Sequence, residues 1–260
     1  MNDRQTLGDQ SPMPPFAGRW ALFLDVDGTL LDIARRPDAV TVSPELHEVL
    51  RRAHQLSNGA VALISGRSLA DLDLLFAPIL YPAAGQHGLE RRDTAGTVSC
   101  SIDTIDRINR AAQLLALQAR GHQGIVVEHK GLSLALHYRN APELREWADL
   151  TMNALLIGLG PAFQLVEGKM VLELKPGGRD KGTAIADFMS EPPFSGRLPV
   201  FIGDDVTDED GFAVVNIAGG HSIKVGDGRS LARWHLDDAQ SVRRWLQAYA
   251  SFLETERSHE

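Results

Sequence analysis

This chain of 260 residues carries one cysteine, Cys100, so no intrachain disulfide can form. A disulfide-stapled secreted scaffold is excluded. No apolar run approaches the roughly 20 residues that cross a bilayer, so no membrane span is expected. Positive charge is scarce: 26 Lys and Arg face 34 Asp and Glu, a net charge of −8, which argues against nucleic acid as a partner. There is no Walker A sequence and no dinucleotide glycine fingerprint. The histidines and the lone cysteine have no zinc-ligand spacing. Asp208-Glu209-Asp210-Gly211 lacks the spacing and the final glutamate of an EF-hand loop. There is no internal repeat and no apolar leader, since residues 1–15 are polar and proline-bearing. Residues 1–18 and the charged stretch after Leu253 read as loose ends. One thiol and no leader point to a cytoplasmic protein, and a monomer is expected.

What is present is organised around Ala21-Leu22-Phe23-Leu24-Asp25-Val26-Asp27-Gly28-Thr29-Leu30. A short apolar run without alternation reads as a strand buried on both faces. It stops at two carboxylates, Asp25 and Asp27, one residue apart and therefore leaning the same way. At about 4 Å two such charges repel by roughly 4 kcal/mol at an effective dielectric near 20, so a proton or a cation must offset them.

The same design recurs. Ala60 to Ile64 is an apolar run ending at Ser65-Gly66-Arg67, and residues 198–202 form another ending at Gly203-Asp204-Asp205. Residues 221–225 make a further short strand, and residues 80–84 a poorer one before Gly85-Gln86-His87-Gly88. Ser43-Pro44 opens one helix as N-cap and first helical residue. Ser68 opens a second and Asp180-Lys181-Gly182-Thr183 a third. Strands alternating with helices predict a parallel sheet with right-handed crossovers. Ligands then sit beyond the carboxyl ends of the strands, where Asp25, Asp27, Ser65 and Asp204 fall.

The middle of the chain changes character. A helix over 103–120 and strand-like runs over 125–128 and 132–139 are followed by a helix from Pro142 to about 157. Two more runs, 163–166 and 170–174, flank Glu167-Gly168-Lys169 as a second hairpin turn. In the second run of the first hairpin, Leu132, Leu134, Leu136 and Tyr138 alternate with other residues, the period of a sheet with one covered face. The expected organisation is a loose end over 1–18, a core domain of 19–92 and 174–260, and an inserted α+β layer over 93–173.

Asp25, Asp27, Asp204, Asp205 and Asp208 collect negative charge at one rim. A hard cation with oxygen ligands answers it, Mg²⁺ first among them. Thr29, Ser65 and Lys181 add hydroxyl and ammonium donors, and cation plus donors describe a phosphate site. An aspartate beside a bound phosphoryl group can attack it, and a second two residues on can protonate the leaving oxygen and then activate water.

Asp25-Val26-Asp27-Gly28-Thr29, Ser65-Gly66-Arg67, Lys181-Gly182 and Gly203-Asp204-Asp205 resemble the four motifs of the haloacid dehalogenase superfamily of phosphotransferases. More narrowly, residues 63–67, 85–90, 134–139, 167–169 and 203–209 are similar to the trehalose-6-phosphate phosphatases. The resemblance implies a Rossmann-like α/β core with an inserted cap, and 260 residues are expected to leave no room for a synthase-like domain. It implies Asp25 as nucleophile and metal ligand, and Asp27 as general acid and base with its backbone carbonyl on the metal. It makes Asp204 the remaining metal ligand, and Thr29, Ser65 and Lys181 the grip on phosphate. It places Glu128, Lys130, Arg139, Glu167 and Lys169 of the cap on the sugar, with Arg67 and His87 at the cleft. The implied activity is Mg²⁺-dependent hydrolysis of trehalose 6-phosphate through an aspartyl-phosphate. Two alternatives share these core residues: a capped phosphatase or mutase for another sugar phosphate, and a non-enzymatic phospho-aspartate signalling module.

Overall fold

The computed structural model describes residues 13–32, 40–100 and 102–258. Twelve strands and seven helices are found among them. In chain order the first half holds β1 (Trp20–Leu24), α1 (Pro44–Leu56), β2 (Val61–Ile64), α2 (Leu69–Phe76), β3 (Ala83–Gly85), β4 (Glu90–Arg92) and β5 (Val98–Ser99). The middle holds α3 (Ile102–Gln118), β6 (Val126–His129), β7 (Leu134–His137), α4 (Arg145–Leu159), β8 (Phe163–Gly168) and β9 (Val171–Pro176). The last part holds α5 (Lys181–Met189), β10 (Leu198–Gly203), α6 (Glu209–Ile217), β11 (His221–Val225), β12 (Trp234–Leu236) and α7 (Ala239–Arg257).

Two compact units result. One comprises Met1–Val98 with Asp180–Glu260, the other Ser99–Arg179. The first is a sheet in the order β12-β11-β10-β1-β2-β3-β4-β5. From β12 to β3 the pairs are parallel, and β4 runs antiparallel to β3. Alternate residues of β1 enter two different cores. Trp20, Leu22 and Leu24 pack with α1 and α7 on one face, while Ala21 and Phe23 pack with α5 and α6 on the other. That is why the run does not alternate in polarity: neither face of β1 is wet. Chain order reverses between β1 and β10, since β2 and β3 lie to one side and β11 and β12 to the other. This makes the gap between β1 and β10 the switch point at which such sheets bind ligands.

The second unit is an antiparallel sheet, β6-β7-β9-β8, with α3 and α4 packed on one face. Leu134, Leu136, Tyr138, Leu172 and Leu174 meet Ile108, Leu115, Met152 and Leu159 there.

The ends differ from expectation. Residues 1–12 of the expected loose end lie outside the described residues. Within its remainder, Phe16 packs edge-on to Trp20 and Trp245, with ring centroids 5.9 and 5.5 Å away. The charged stretch after Leu253 is helical to Arg257, because α7 carries its buried stripe through Tyr249, Ala250 and Leu253 and its polar residues face outward. The short polar strands β4 and β5 extend the sheet beyond its parallel part, so the inserted unit begins at Ser99. Glu167 and Gly168 belong to β8, and the turn is Lys169-Met170, with Met170 at φ 64°.

Candidate active site

The site is built at the carboxyl ends of β1 and β10. The Asp25 N–H donates to the Ile202 carbonyl at 3.0 Å, which carries the sheet pairing up to the rim where the acidic residues stand. Asp204 follows β10 directly. Carboxylate oxygens of Asp25, Asp204 and Asp208 all lie within 4.8 Å of one another. Two glycines permit this approach. A Cβ on Gly28, at φ +85°, would stand 2.1 Å from Asp204 Oδ2, and one on Gly203 would stand 2.4 Å from Asp208 Cγ.

Lys181 is the first residue of α5, after an Asp180–Thr183 capping box. Its Nζ donates to Asp25 Oδ1 at 2.7 Å and to Asp208 Oδ1 at 2.6 Å, with all three side chains buried. Asp208 Oδ2 accepts the N–H groups of Asp204 and Asp205, each at 2.9 Å. Both Asp208 oxygens are thus engaged in holding Lys181 and the loop. Thr29, fully buried, donates from Oγ1 to Asp204 Oδ1 at 3.1 Å. Lys224, packed beneath, donates from Nζ to the Asp204 and Val225 carbonyls.

The charges are strained by burial. Desolvation pushes Asp25 up to about 6, against the Lys181 charge that pulls it down. Asp208 is likewise pushed up to about 6, by burial first and the nearby Asp25 next. Burial raises Asp204 as well. For Lys181 burial opposes the charge, but Asp25 and Asp208 outweigh it and hold the ammonium above its ordinary range. Three carboxylates gathered around Lys181, with carboxylate oxygens as the available ligand atoms, fit a hard divalent cation.

Asp27 stands apart. Its carboxylate is gripped by Arg67, Nε to Oδ2 and Nη2 to Oδ1, both at 2.6 Å. The side chain therefore does not join the acidic group. Ser65, buried at the end of β2, accepts from the Arg67 N–H at 3.1 Å. The His87 N–H donates to the Ser65 carbonyl at 2.9 Å. Gln86 and His87 sit at φ 46° and 56°, a left-handed pair that costs non-glycine residues on the order of 1–3 kcal/mol each. A Cβ on Gly66 would lie 2.8 Å from His87 Cε1, so glycine there lets the imidazole close on the Ser65-Gly66-Arg67 turn.

In the inserted unit Glu128 Oε2 pairs with His137 Nε2 at 2.8 Å. Lys130 Nζ reaches Glu173 Oε2 at 3.4 Å, and Ser133 Oγ donates to Glu173 Oε1 at 2.6 Å. The Arg145 guanidinium donates to Glu167 Oε1 at 2.6 Å. Arg139 and Lys169 are exposed on turns. Asp208 was expected as part of the acidic rim but not as an anchor for Lys181, and Glu173 was not expected at the site. For Asp208 the spacing Asp204-Asp205-x-x-Asp208 was a usable signal, because a one-turn reach returns its carboxylate to the loop amides. Glu173 offered only its place in an alternating strand.

The trehalose-phosphatase family model matches residues 23–240. The chain is 44% identical over 248 residues to the trehalose-6-phosphate phosphatase of Escherichia coli K12, covering 95% of this chain and 92% of that one. It is 46% identical over 207 residues to a probable trehalose-phosphate phosphatase of Sinorhizobium fredii, covering 80% of this chain and 78% of that one. Among solved structures, a trehalose-6-phosphate phosphatase related protein overlays with a TM-score of 0.72 at 22% identity, covering 90% and 99% of the two chains. The C-terminal domain of the Candida albicans trehalose-6-phosphate phosphatase gives 0.67 at 22% identity, covering 90% and 92%. At such identities these overlays speak for the fold.

Proposed function

The chain belongs to the trehalose-phosphatase family of phosphoric monoester hydrolases, and from that premise we propose that it hydrolyses trehalose 6-phosphate to trehalose and phosphate through an aspartyl-phosphate. The carrying observation is the convergence of Asp25 and Asp204 at the switch point, with Lys181 between Asp25 and Asp208. An Asp25 oxygen attacks phosphorus, and the bond to the sugar oxygen breaks. Asp27, protonated from solvent once Arg67 has released one of its oxygens, gives the sugar oxygen its proton, then takes one from the water that attacks the phosphorus of the aspartyl-phosphate. This returns Asp25 and releases phosphate.

Lys181, Thr29 and Ser65 hold the phosphoryl oxygens. Arg67 sets the direction of the Asp27 carboxyl until the leaving oxygen competes for it. Asp25, Asp204 and the Asp27 carbonyl would hold Mg²⁺, which when bound supplies positive charge to the transferred phosphoryl group.

The inserted unit acts as the cap in this reading. Glu128, Lys130, Arg139, Glu167 and Lys169 contact the sugar, with His87 beside the phosphate. A disaccharide presents many hydroxyls, and paired acid and base side chains supply both acceptors and donors. His137 and Glu173, each tied to one of these residues, join the set. The enzyme is read as a cytoplasmic monomer, in keeping with its single exposed thiol.

The test is phosphate release from trehalose 6-phosphate with and without chelator, beside glucose 6-phosphate, sucrose 6-phosphate and mannose 6-phosphate. Selective, chelator-sensitive turnover is expected. A flat profile overturns the substrate assignment, and undiminished turnover in chelator overturns the metal.

A further inference from the structure

We infer that the core unit carries a second oxyanion site, of the phosphate class, where Arg19, Arg197 and Arg257 converge at the amino ends of the strands. A cavity of about 410 Å³ opens there, lined among others by these three arginines, Asn58, Ser195 and Glu256. Its location follows from topology. Arg19 immediately precedes β1, Arg197 immediately precedes β10, and Asn58 lies just before β2, whereas Asp25, Asp204 and Ser65 follow those same strands. At about 3.3 Å per residue, a five-residue strand sets the two ends roughly 15 Å apart. The cavity is separate from the catalytic rim, and its assignment does not rest on the proposed activity.

The three guanidiniums come from distant parts of the chain and are only partly engaged. Arg197 donates from Nε to the Pro193 carbonyl at 2.8 Å and from Nη1 to the Trp20 carbonyl at 3.3 Å. Arg19 reaches the Gly196 carbonyl at 3.5 Å, and Arg257 donates to Asn58 Oδ1. These hydrogen-bond partners are all neutral, and among the described residues none of the three guanidiniums forms an ion pair with a carboxylate. A guanidinium has five N–H donors, and several remain for a ligand. Burial lowers Arg197 from the usual arginine range, and the like charge of Arg19 adds to it, against the pull of Tyr249. Beside them the Tyr249 hydroxyl is buried without a hydrogen-bond partner among the described residues.

Negative groups nearby offset only part of this charge. Glu256 contributes one carboxylate. The carboxyl-terminal ends of α1 and α7 contribute about half a charge each. Among the described residues, three positive charges against about two leave the cavity net positive on a chain whose total is −8. Planar forks from several directions match the oxygens of phosphate. The volume is that of a small-molecule site. The ligand class is therefore inorganic phosphate or the phosphate monoester of a small sugar.

The test uses the full chain and the side-chain Nε–Hε resonances of its arginines, which report this cavity through Arg19 and Arg197 and the catalytic rim through Arg67. Inorganic phosphate and glucose 6-phosphate are titrated separately, with sodium chloride at equal ionic strength as control. Arg19 and Arg197 are expected to shift saturably with at least one of the two, and the tighter one names the source. In Arg257→Gln, whose side chain is exposed and makes no core contact, the affinity read at Arg19 is expected to fall at least tenfold. Shifts confined to Arg67, shifts reproduced by chloride, or unchanged affinity in Arg257→Gln each overturn the proposal.

Discussion

Arg67 and Asp27 face each other through two parallel bonds of 2.6 Å, so the carboxylate two residues after the proposed nucleophile is fixed by a residue forty positions away. The fork holds both Asp27 oxygens in one plane, which a single ammonium cannot do. Arg67→Lys is therefore expected to lower kcat by roughly 10- to 100-fold, the scale of misplacing a catalytic group by about an ångström. Asp27→Asn is expected to lose roughly 10²–10⁴-fold, as for loss of a general acid and base. Steady-state kinetics on folded protein checks both. An Arg67→Lys enzyme with wild-type kcat would show that the pairing is idle in turnover.

Asp25→Asn is expected to abolish turnover while keeping the fold. The substitution removes a buried charge, and Lys181 retains Asp208 as its partner at 2.6 Å. Phosphate release and circular dichroism together check it. Residual activity within tenfold of wild type would exclude Asp25 as the nucleophile.

Metal binding should weaken in acid. Burial pushes Asp25, one of the proposed ligands, up to about 6, above the ordinary carboxylate value of 3.8. A proton therefore occupies it as pH falls through about 6, and a cation must displace that proton. Titration calorimetry at pH 7.5 and 5.5 is expected to show Mg²⁺ affinity falling by roughly fourfold for the one proton that competes at Asp25, since that competition sets in only below about pH 6. An affinity independent of pH over that range would mean that this carboxyl is already ionised without the ion.

Gly203→Ala should cost stability and activity together. The new methyl would stand 2.4 Å from the Asp208 carboxyl carbon. That carboxylate is held by Lys181 and two backbone N–H groups, so it cannot step aside. Overpacking of this kind costs about 1–3 kcal/mol, readable by denaturant unfolding. A variant as stable and active as wild type would show that the loop has slack.

The sequence by itself determined the strands that enter the site and what stands at their ends. Apolar runs stopping at Asp25, Ser65 and Asp204 were legible because burial on both faces removes all polar alternation, and polar groups ending several such runs on one rim point jointly to a site. Ser43-Pro44 and Asp180-Lys181 marked helix starts because capping is a local interaction, settled within four residues. The short strands β4 and β5 were not legible, since Glu90 to Arg92 and Val98-Ser99 carry no apolar pattern and are strands only because an edge was free to pair. Only the tertiary structure decided that Asp208 anchors Lys181, that Arg67 rather than the acidic group takes Asp27, and that three arginines from separate segments share one cavity. Those choices depend on distances between chain segments, which residue spacing does not encode, and on burial, which sets the charge each group must compensate.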